Sequence, residues 1–334
     1  MSSIDELILR VLETAPDADK ESRALVAERA ANVLRPAGAL ARLDEVCAWL
    51  ASWQRTPRPA VMKPAVVVFV GDHGVTTEGV SAYPAEVTVA MLRALQEGVA
   101  TAAAMSRSVG ADLQVVDVGV GDPTGNIAVE PAMSEARFRA CLDAGRDAVA
   151  KLDCDLLIFG EMGIGNTTPA AAVAAALFGG PAEEWTGRGT GVDDETWARK
   201  VAAVEAARAR LTPEASPLDI LRQVGGAELA AIAGAMVEAR ARSIPVLLDG
   251  FVVTAAVAPL AVLHVGALDN CIAGHRSPEP GHSMLLDKLG LEPLLDLGMR
   301  LGEASGALAA LPLVRLAATV VVDVATFEEW GLTR

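Results

Sequence analysis

Six consecutive apolar residues, AVVVFV at 65–70, constrain the fold of this chain more than any other feature. A strand with one solvent-exposed face alternates apolar and polar residues, whereas a continuous run is typical of a strand buried on both faces of a parallel sheet. Similar runs recur at 112–120, 154–160 and 244–252, with alanine-rich helical patterns between them, as at 90–109 and 135–151. The alternation predicts an α/β fold with a doubly wound, mainly parallel sheet.

The two ends of the chain show the apolar pattern of helices rather than that of buried strands. Periodic apolar residues over 4–53 predict helices, and 296–330 also reads as helical and is expected to return against them. We therefore expect a helical segment over 1–58, a main α/β unit over 59–295 and a C-terminal helical segment over 296–334.

Charge and hydropathy exclude several classes of partner. The 334 residues include 28 Lys and Arg against 43 Asp and Glu, a formal charge of -15, which predicts repulsion of nucleic acid and anionic membranes. The apolar run from Pro245 holds Asp249 and two prolines, so it reads as a strand and a buried helix rather than a membrane span. The N-terminal stretch lacks the features of a signal peptide, and we expect a cytoplasmic protein.

Ligands of such sheets bind beyond the carboxyl ends of the strands. After the first run come Asp72 and His73, which either contact a ligand or only cap the next helix. After the third run comes GEMGIGNTTP, in which Glu161 precedes a glycine-rich turn and a helix start. This turn predicts an anion site at a helix N-terminus, although it matches neither a P-loop nor a dinucleotide fingerprint. The residues predicted to bind there are Gly163, Gly165, Asn166 and Thr167.

A second glycine loop, TGRGTGVDD, contains Gly189 and precedes a helix that carries Lys200. The alternative for a single lysine is a solvent-facing side chain. Two glycine loops with one basic residue nevertheless suit a phosphate monoester.

Further acids and a loop follow the last apolar run. Asp249 stands inside apolar sequence, where a carboxylate needs a partner, so we expect it to contact a ligand hydroxyl or a loop N–H group. The loop GHRSPEPGH offers Arg276 and Ser277 to an anion. Its two histidines and Glu279 also raise a metal hypothesis, which the prolines and the absent HExxH spacing weaken.

Glu303 lies between small residues on a predicted helix, near the apolar Met299 and Leu301. Small neighbours allow a flat ligand to come close, and partial burial would raise the pKa of this carboxylate toward that of a general base. The alternative is a glutamate that caps a helix start.

Taken in order, GDHGV, GVSAYP, GEMGIGNTT, GRGTGVDD, LLDGFV, GHRSPEPGH and LGMRLGEASGA resemble the nicotinate-nucleotide:dimethylbenzimidazole phosphoribosyltransferases. The resemblance runs from about residue 66 to 310. It implies a Rossmann-like core with a small helical domain built from both ends of the chain, a homodimer, and no cofactor or metal. It also implies phosphoribosyl transfer from nicotinate mononucleotide to 5,6-dimethylbenzimidazole in cobalamin lower-ligand assembly.

The resemblance also assigns roles residue by residue. Glu303 matches the general base, and Glu161 and Asp249 match further active-site acids. Gly163, Gly165, Asn166, Thr167, Gly189, Lys200 and Ser277 are expected at the phosphate and ribose. Asp72, Glu78 and Gly79, in the matching loop 72–84, are expected at the benzimidazole together with Met299 and Leu301. Ala304 departs from the glycine expected after the base.

Two other functional classes of protein remain as alternatives to this transferase. A non-catalytic nucleotide-binding or regulatory module would need the glycine loops but not Glu303. A nicotinamide-dependent oxidoreductase is disfavoured because the dinucleotide fingerprint is missing.

Overall fold

The computed structural model describes residues 3–333 of the chain. At its centre lies a parallel sheet of six strands in the order β2-β1-β3-β4-β5-β6. The strands are β1 (Pro64–Val70), β2 (Asp112–Asp117), β3 (Leu156–Met162), β4 (Val246–Leu248), β5 (Cys271–His275) and β6 (Pro293–Leu295). With helices on both faces, the predicted α/β class and doubly wound parallel sheet are confirmed.

Helices connect and cover the strands. Before β1 come α1 (Ser3–Thr14), α2 (Lys20–Asn32) and α3 (Ala41–Gln54). A 3-10 helix (Gly74–Glu78), α4 (Val87–Gln96) and α5 (Thr101–Val109) lead to β2, and α6 (Glu135–Ala150) leads to β3. Between β3 and β4 lie α7 (Thr167–Phe178), α8 (Ala182–Trp185), α9 (Asp194–Ala209), α10 (Pro217–Val224) and α11 (Ala227–Ala241). The last are α12 (Phe251–Leu263), α13 (Pro280–Leu289) and α14 (Ser305–Val322).

Two apolar cores lie on the two faces of the sheet, which explains the uninterrupted run in β1. Val67 and Phe69 belong to the core with α6, α7, α11 and α12, whereas Val66 and Val68 belong to the core with α3, α5 and α14. All four side chains are fully buried. A strand that packs on both faces is typically apolar along nearly its whole length.

The helical prediction for the chain ends holds in part. α14 packs against α3, as expected, and α1 instead joins the opposite core. The helix predicted over 296–330 is wrong before Ser305, because Gly298 and Gly302 adopt left-handed backbone that interrupts it. It is also wrong after Val322, where turns and an isolated bridge to Val33 replace the helix. The boundaries 1–58, 59–295 and 296–334 remain a prediction.

Two other predicted elements are shorter in the structure. The strand expected over 244–252 is wrong beyond Leu248: after Asp249 and Gly250 the apolar sequence enters α12. The helix expected over 90–109 is interrupted, since Gly98 with a φ of +75° separates α4 from α5. Short apolar runs fit a buried strand and a buried helix equally well, so periodicity alone placed these boundaries poorly.

In the described part of the chain, α14 is the one helix long and apolar enough to cross a membrane. Of the 18 residues of this helix, 56% are buried inside the fold. The helix packs on α3, α5 and β5, as a core helix does. The apolar run after Pro245 forms β4 and the buried α12, in agreement with the sequence interpretation.

Candidate active site

A cleft of about 340 Å³ opens beyond the carboxyl ends of β1, β3, β4 and β5. β1 lies between β2 and β3, so the direction of strand progression reverses there, which is where open parallel sheets bind their ligands. Ten of the residues predicted from the sequence line this cleft: Glu161, Gly163, Gly165, Asn166, Thr167, Gly189, Lys200, Ser277, Leu301 and Glu303.

The other predicted site residues do not line the cleft: Asp72, Glu78, Gly79, Asp249 and Met299. Asp72 Oδ2 accepts a 2.8 Å hydrogen bond from the Gly121 N–H, and Glu78 Oε1 accepts one of 2.6 Å from Asn126. Both contacts hold neighbouring loops in place. No side chain of the described residues caps the 3-10 helix or α4, so the capping alternative for Asp72 is wrong. Their part in base binding stays a prediction.

Lys200 lies inside the fold rather than on its surface. Asp193 begins α9 by accepting a 2.8 Å hydrogen bond from the Thr196 N–H, and Lys200 follows within that helix at 2% exposure. Its Nζ donates to Thr167 Oγ1 at 2.9 Å. Burial lowers the pKa of Lys200 to about 8, against the opposing effect of Glu279. The solvent-facing alternative is therefore wrong, and the cation borders the cleft.

Glu279 is an acid for which the sequence predicts no ligand role beyond the metal hypothesis. Burial raises the pKa of its carboxyl, while Lys200, the Gly189 N–H and Arg300 act in the opposite direction. The Gly189 N–H therefore already faces a carboxylate. A Cβ on Gly187 would lie 2.1 Å from Glu279 Oε2, so only glycine fits beside this acid.

The turn between β3 and α7 offers fewer free donors than its sequence predicts. The Ile164 N–H donates to Thr88 Oγ1 at 3.2 Å, and the Asn166 N–H donates to the Gly163 carbonyl at 3.2 Å. Among the described residues, the N–H groups of Gly165 and Thr167 have no such partner. At this end of the cleft, these two groups and Lys200 are donors that an anion can meet.

Glu161, at the end of β3, is a buried acid in the cleft. It accepts a hydrogen bond from the Asn166 side chain. Burial raises its pKa to about 8, and the charges of Asp249 and Glu303 add to this while the Asn166 bond opposes it. The carboxyl group is therefore mostly neutral at neutral pH in the unliganded protein.

Glu303 stands two residues before α14, not on a helix as predicted. It is 3% exposed, its φ is +56°, and its N–H donates to the Glu161 carbonyl at 3.1 Å. Burial raises the pKa of its carboxyl, whereas the Ala102 N–H at the start of α5 lowers it. Glu303 Oε2 is buried without a hydrogen-bond partner in the described structure, and the residue lines the cleft.

The backbone at Ala304 explains why glycine is expected there. Its φ is +64°, so two consecutive residues with side chains adopt left-handed backbone. Each costs roughly 1–2 kcal/mol relative to ordinary backbone. Gly160 lies directly beneath, where a Cβ would come within 2.6 Å of the Ala304 N. The turn fits because Gly160 has no side chain.

Ser277 is held in the cleft by His282. Thr254 Oγ1 donates to the Gly250 carbonyl at 2.9 Å, so it accepts from His282 Nε2 at 3.2 Å. His282 Nδ1 is then the acceptor for the Ser277 N–H at 2.9 Å. Burial lowers the pKa of His282 to about 3, which keeps this ring neutral.

The metal hypothesis finds no matching geometry. Among residues 3–333, no group of three or more His, Cys, Asp or Glu side chains is placed to hold a metal ion.

Several cleft residues were not identified from the sequence. Val80, Ser81 and Tyr83 lie in the predicted base-contacting loop, but the residues that the sequence predicts at the base are Asp72, Glu78 and Gly79 of the same loop. Arg188 and Arg300 also line the cleft. Their position beside Gly189 and Leu301 was the available signal, whereas nothing local marks the apolar wall formed by Met91 and Phe251.

Comparisons with known proteins agree with this geometry. A family model described as a phosphoribosyltransferase matches residues 15–332. The nicotinate-nucleotide–dimethylbenzimidazole phosphoribosyltransferase of Mesorhizobium japonicum is 52% identical over 332 residues, 99% of this chain and 98% of that protein. The enzyme of the same name from Methylorubrum extorquens is 47% identical over 334 residues, 99% of this chain and 97% of that protein.

A solved structure extends the likeness to the fold. The crystal structure of CobT from Thermus thermophilus has a TM-score of 0.91 to this chain at 43% identity, and covers 94% of this chain and 99% of its own. The sequence match extends over nearly the whole chain and includes every element that borders the cleft. The chain therefore belongs to the nicotinate-nucleotide–dimethylbenzimidazole phosphoribosyltransferase family.

Proposed function

We propose that this protein transfers the phosphoribosyl group of nicotinate mononucleotide to 5,6-dimethylbenzimidazole, giving α-ribazole 5′-phosphate and nicotinate, in the assembly of the cobalamin lower ligand. The names of its relatives support both substrates. The observation that carries the proposal is Glu303, a buried carboxyl with an unpartnered oxygen in the same cleft as Lys200.

The donor phosphate binds at Lys200 and at the free N–H groups of Gly165 and Thr167, whereas the Ser277 hydroxyl already donates to His282 Nδ1 at 2.9 Å. Because the chain carries a formal charge of -15, an anionic donor depends on such local groups. The apolar side chains of Val80, Met91 and Ile164 provide a wall for a flat aromatic base.

The transfer needs a leaving group, a nucleophile and a proton acceptor. The bond between C1′ and the pyridinium nitrogen breaks, its electron pair returns to nicotinate, and the ribose acquires oxocarbenium character. The unprotonated benzimidazole nitrogen attacks from the opposite face, which converts the β bond into an α bond. The other nitrogen then loses its proton to Glu303.

The test is direct. Purified protein is incubated with nicotinate mononucleotide and dimethylbenzimidazole without added metal, and the products are separated and identified by mass and by the anomeric configuration. Formation of α-ribazole 5′-phosphate with one nicotinate per product supports the proposal. A folded protein that binds the mononucleotide but releases no nicotinate would be a non-catalytic binding module.

We also propose that the protein acts as a cytoplasmic homodimer that binds neither nucleic acid nor membranes. Exposed apolar side chains on α2 and the C-terminal segment, which the Arg29–Glu329 ion pair joins, support self-association: Leu25 and Trp330 are 44% and 69% exposed. The negative charge supports the absence of nucleic acid. Light scattering on the purified chain tests the dimer, because a monomer mass at micromolar concentration would contradict it.

A further inference from the structure

Asp249 follows β4 directly and is almost completely buried, with 1% of its surface exposed. Its family resemblance places it among the active-site acids. In the structure its neighbours Gly250 and His275 line the cleft, but Asp249 does not. Asp249 therefore acts through the groups that it contacts.

Its contacts are with the start of α14. Asp249 Oδ1 accepts hydrogen bonds from the N–H groups of Gly306 at 2.8 Å and Ala307 at 3.0 Å. These groups belong to the first turn of α14, which has no side-chain cap of its own. First-turn N–H groups lack helical partners, and a carboxylate satisfies them well. Asp249 thus caps α14 from 57 residues away in sequence.

The capped turn comes directly after the strained residues Glu303 and Ala304. Both adopt left-handed backbone, which residues with side chains keep only where the surrounding structure fixes them. From one side, the Glu303 N–H is bound to the Glu161 carbonyl at 3.1 Å. From the other side, the turn is anchored by the two bonds to Asp249.

Packing between β5 and α14 reinforces the same anchor. A Cβ on Gly306 would lie 1.9 Å from the His275 ring, and a Cβ on Gly274 would lie 2.7 Å from the Ala307 Cα. The start of α14 therefore rests directly on β5, with His275 Nε2 3.6 Å from Asp249 Oδ1. Small displacements of this helix start would move Glu303.

We propose that Asp249 is a positioning residue, which holds Glu303 in the cleft by capping the first turn of α14, and not an acid that acts on the ribose. The proposal rests on the proposed function for the role of Glu303. It attributes the effect of Asp249 to its acceptor oxygen rather than to its charge.

Asp249→Asn and Asp249→Ala separate the two roles. Asparagine keeps an oxygen acceptor at Oδ1 and is an equally good capping residue, but it removes the charge. If Asp249 positions Glu303, Asp249→Asn keeps kcat within about tenfold of wild type. Asp249→Ala lowers kcat about a hundredfold, as expected for a misplaced catalytic group, with little change in either KM.

Amide hydrogen exchange provides a readout that does not depend on activity. The peptide that contains Gly306 and Ala307 should exchange faster in Asp249→Ala and stay protected in Asp249→Asn. Asp19→Ala is the matched control, because Asp19 caps α2 with a 3.1 Å bond from the Glu21 N–H, away from the cleft. It should lower the melting temperature and leave kcat unchanged.

The opposite result overturns the proposal: Asp249→Asn loses as much kcat as Asp249→Ala, about a hundredfold or more, while exchange at Gly306 and Ala307 stays as in wild type. Charge would then be what matters. Should Asp249→Ala not fold, kcat and exchange in Asp249→Asn decide the question alone. Should the wild-type protein form no α-ribazole phosphate, the proposed function fails, and the exchange data still test the cap.

Discussion

Among the helices that begin at the cleft, α7 and α14 have first turns whose N–H groups are satisfied in opposite ways. At α7 the Thr167 N–H has no partner among the described residues, no side chain caps the helix, and Lys200 lies 2.9 Å from Thr167 Oγ1. At α14 the N–H groups of Gly306 and Ala307 are both taken by Asp249. An uncapped start beside a cation can receive an anion, whereas a capped start can only fix the chain next to it.

The start of α7 is thus suited to substrate binding, and the start of α14 to the positioning of a catalytic residue. The α7 start offers its donors to the substrate, so changes there should appear in the affinity for the mononucleotide. The α14 start has no donors to offer and instead holds Glu303, so changes there should appear in turnover. Each of the following experiments tests one side of this comparison.

The largest effect is expected at the α14 side. Glu303→Gln keeps the shape of the side chain but removes the proton acceptor, so turnover should fall by about two to four powers of ten. Because burial raises the pKa of Glu303, wild-type turnover should rise with pH as this carboxyl ionises. This rise of turnover with pH should vanish in Glu303→Gln and persist in Glu161→Gln and Asp249→Asn. Near-normal turnover in Glu303→Gln would remove it as the base.

At the α7 side, Lys200→Met should raise the KM for nicotinate mononucleotide by roughly 10- to 100-fold, since a charge-assisted hydrogen bond contributes about 1.5–3 kcal/mol. The KM for dimethylbenzimidazole should hardly change. Lys288→Met, at an exposed lysine of α13, is the matched control and should alter neither constant. Equal losses for both substrates would place Lys200 outside the phosphate site.

The pH dependence of mononucleotide binding also tests the role of Lys200 beside the start of α7. The pKa of Lys200 is lowered to about 8, so the ammonium group is charged below this pH and loses its charge above it. The KM for the mononucleotide should therefore rise above pH 8, by up to about tenfold per pH unit for a required proton. Steady-state kinetics in wild type and Lys200→Met measure this, and a rise that persists in Lys200→Met would assign it to another group.

The smallest effect concerns the strained turn itself. Ala304→Gly relieves left-handed strain at the cost of chain entropy, a net gain of about 0.5–1 kcal/mol in the free energy of unfolding. A less restrained Glu303 should also lower turnover a few-fold. Arg55→Gly is the control, because Arg55 has a φ of +56° at the end of α3, away from the cleft. It should leave turnover unchanged, and a stabilised Ala304→Gly with unchanged turnover would show that the strain does not position Glu303.

The sequence by itself determined two of the inner strands, β1 and β3, and the functional loops that follow them, whereas β5 was not predicted. β1 and β3 are local runs of apolar residues, and the turn before α7 is marked by its own glycines and proline. The order of the motifs identified Glu303 and Lys200. Such features lie within a few residues of one another, so local sequence is sufficient to encode them.

Only the tertiary structure determined which contacts the residues of these loops make. Nothing near Asp249 in sequence indicates that its partners are Gly306 and Ala307, and nothing near Ala304 indicates left-handed backbone. The burial of Lys200 beneath Thr167 likewise depends on how α9 packs against α7. Contacts of this kind join segments that the sheet brings together, and the free energy that holds them comes from packing of the whole core, which no local pattern contains.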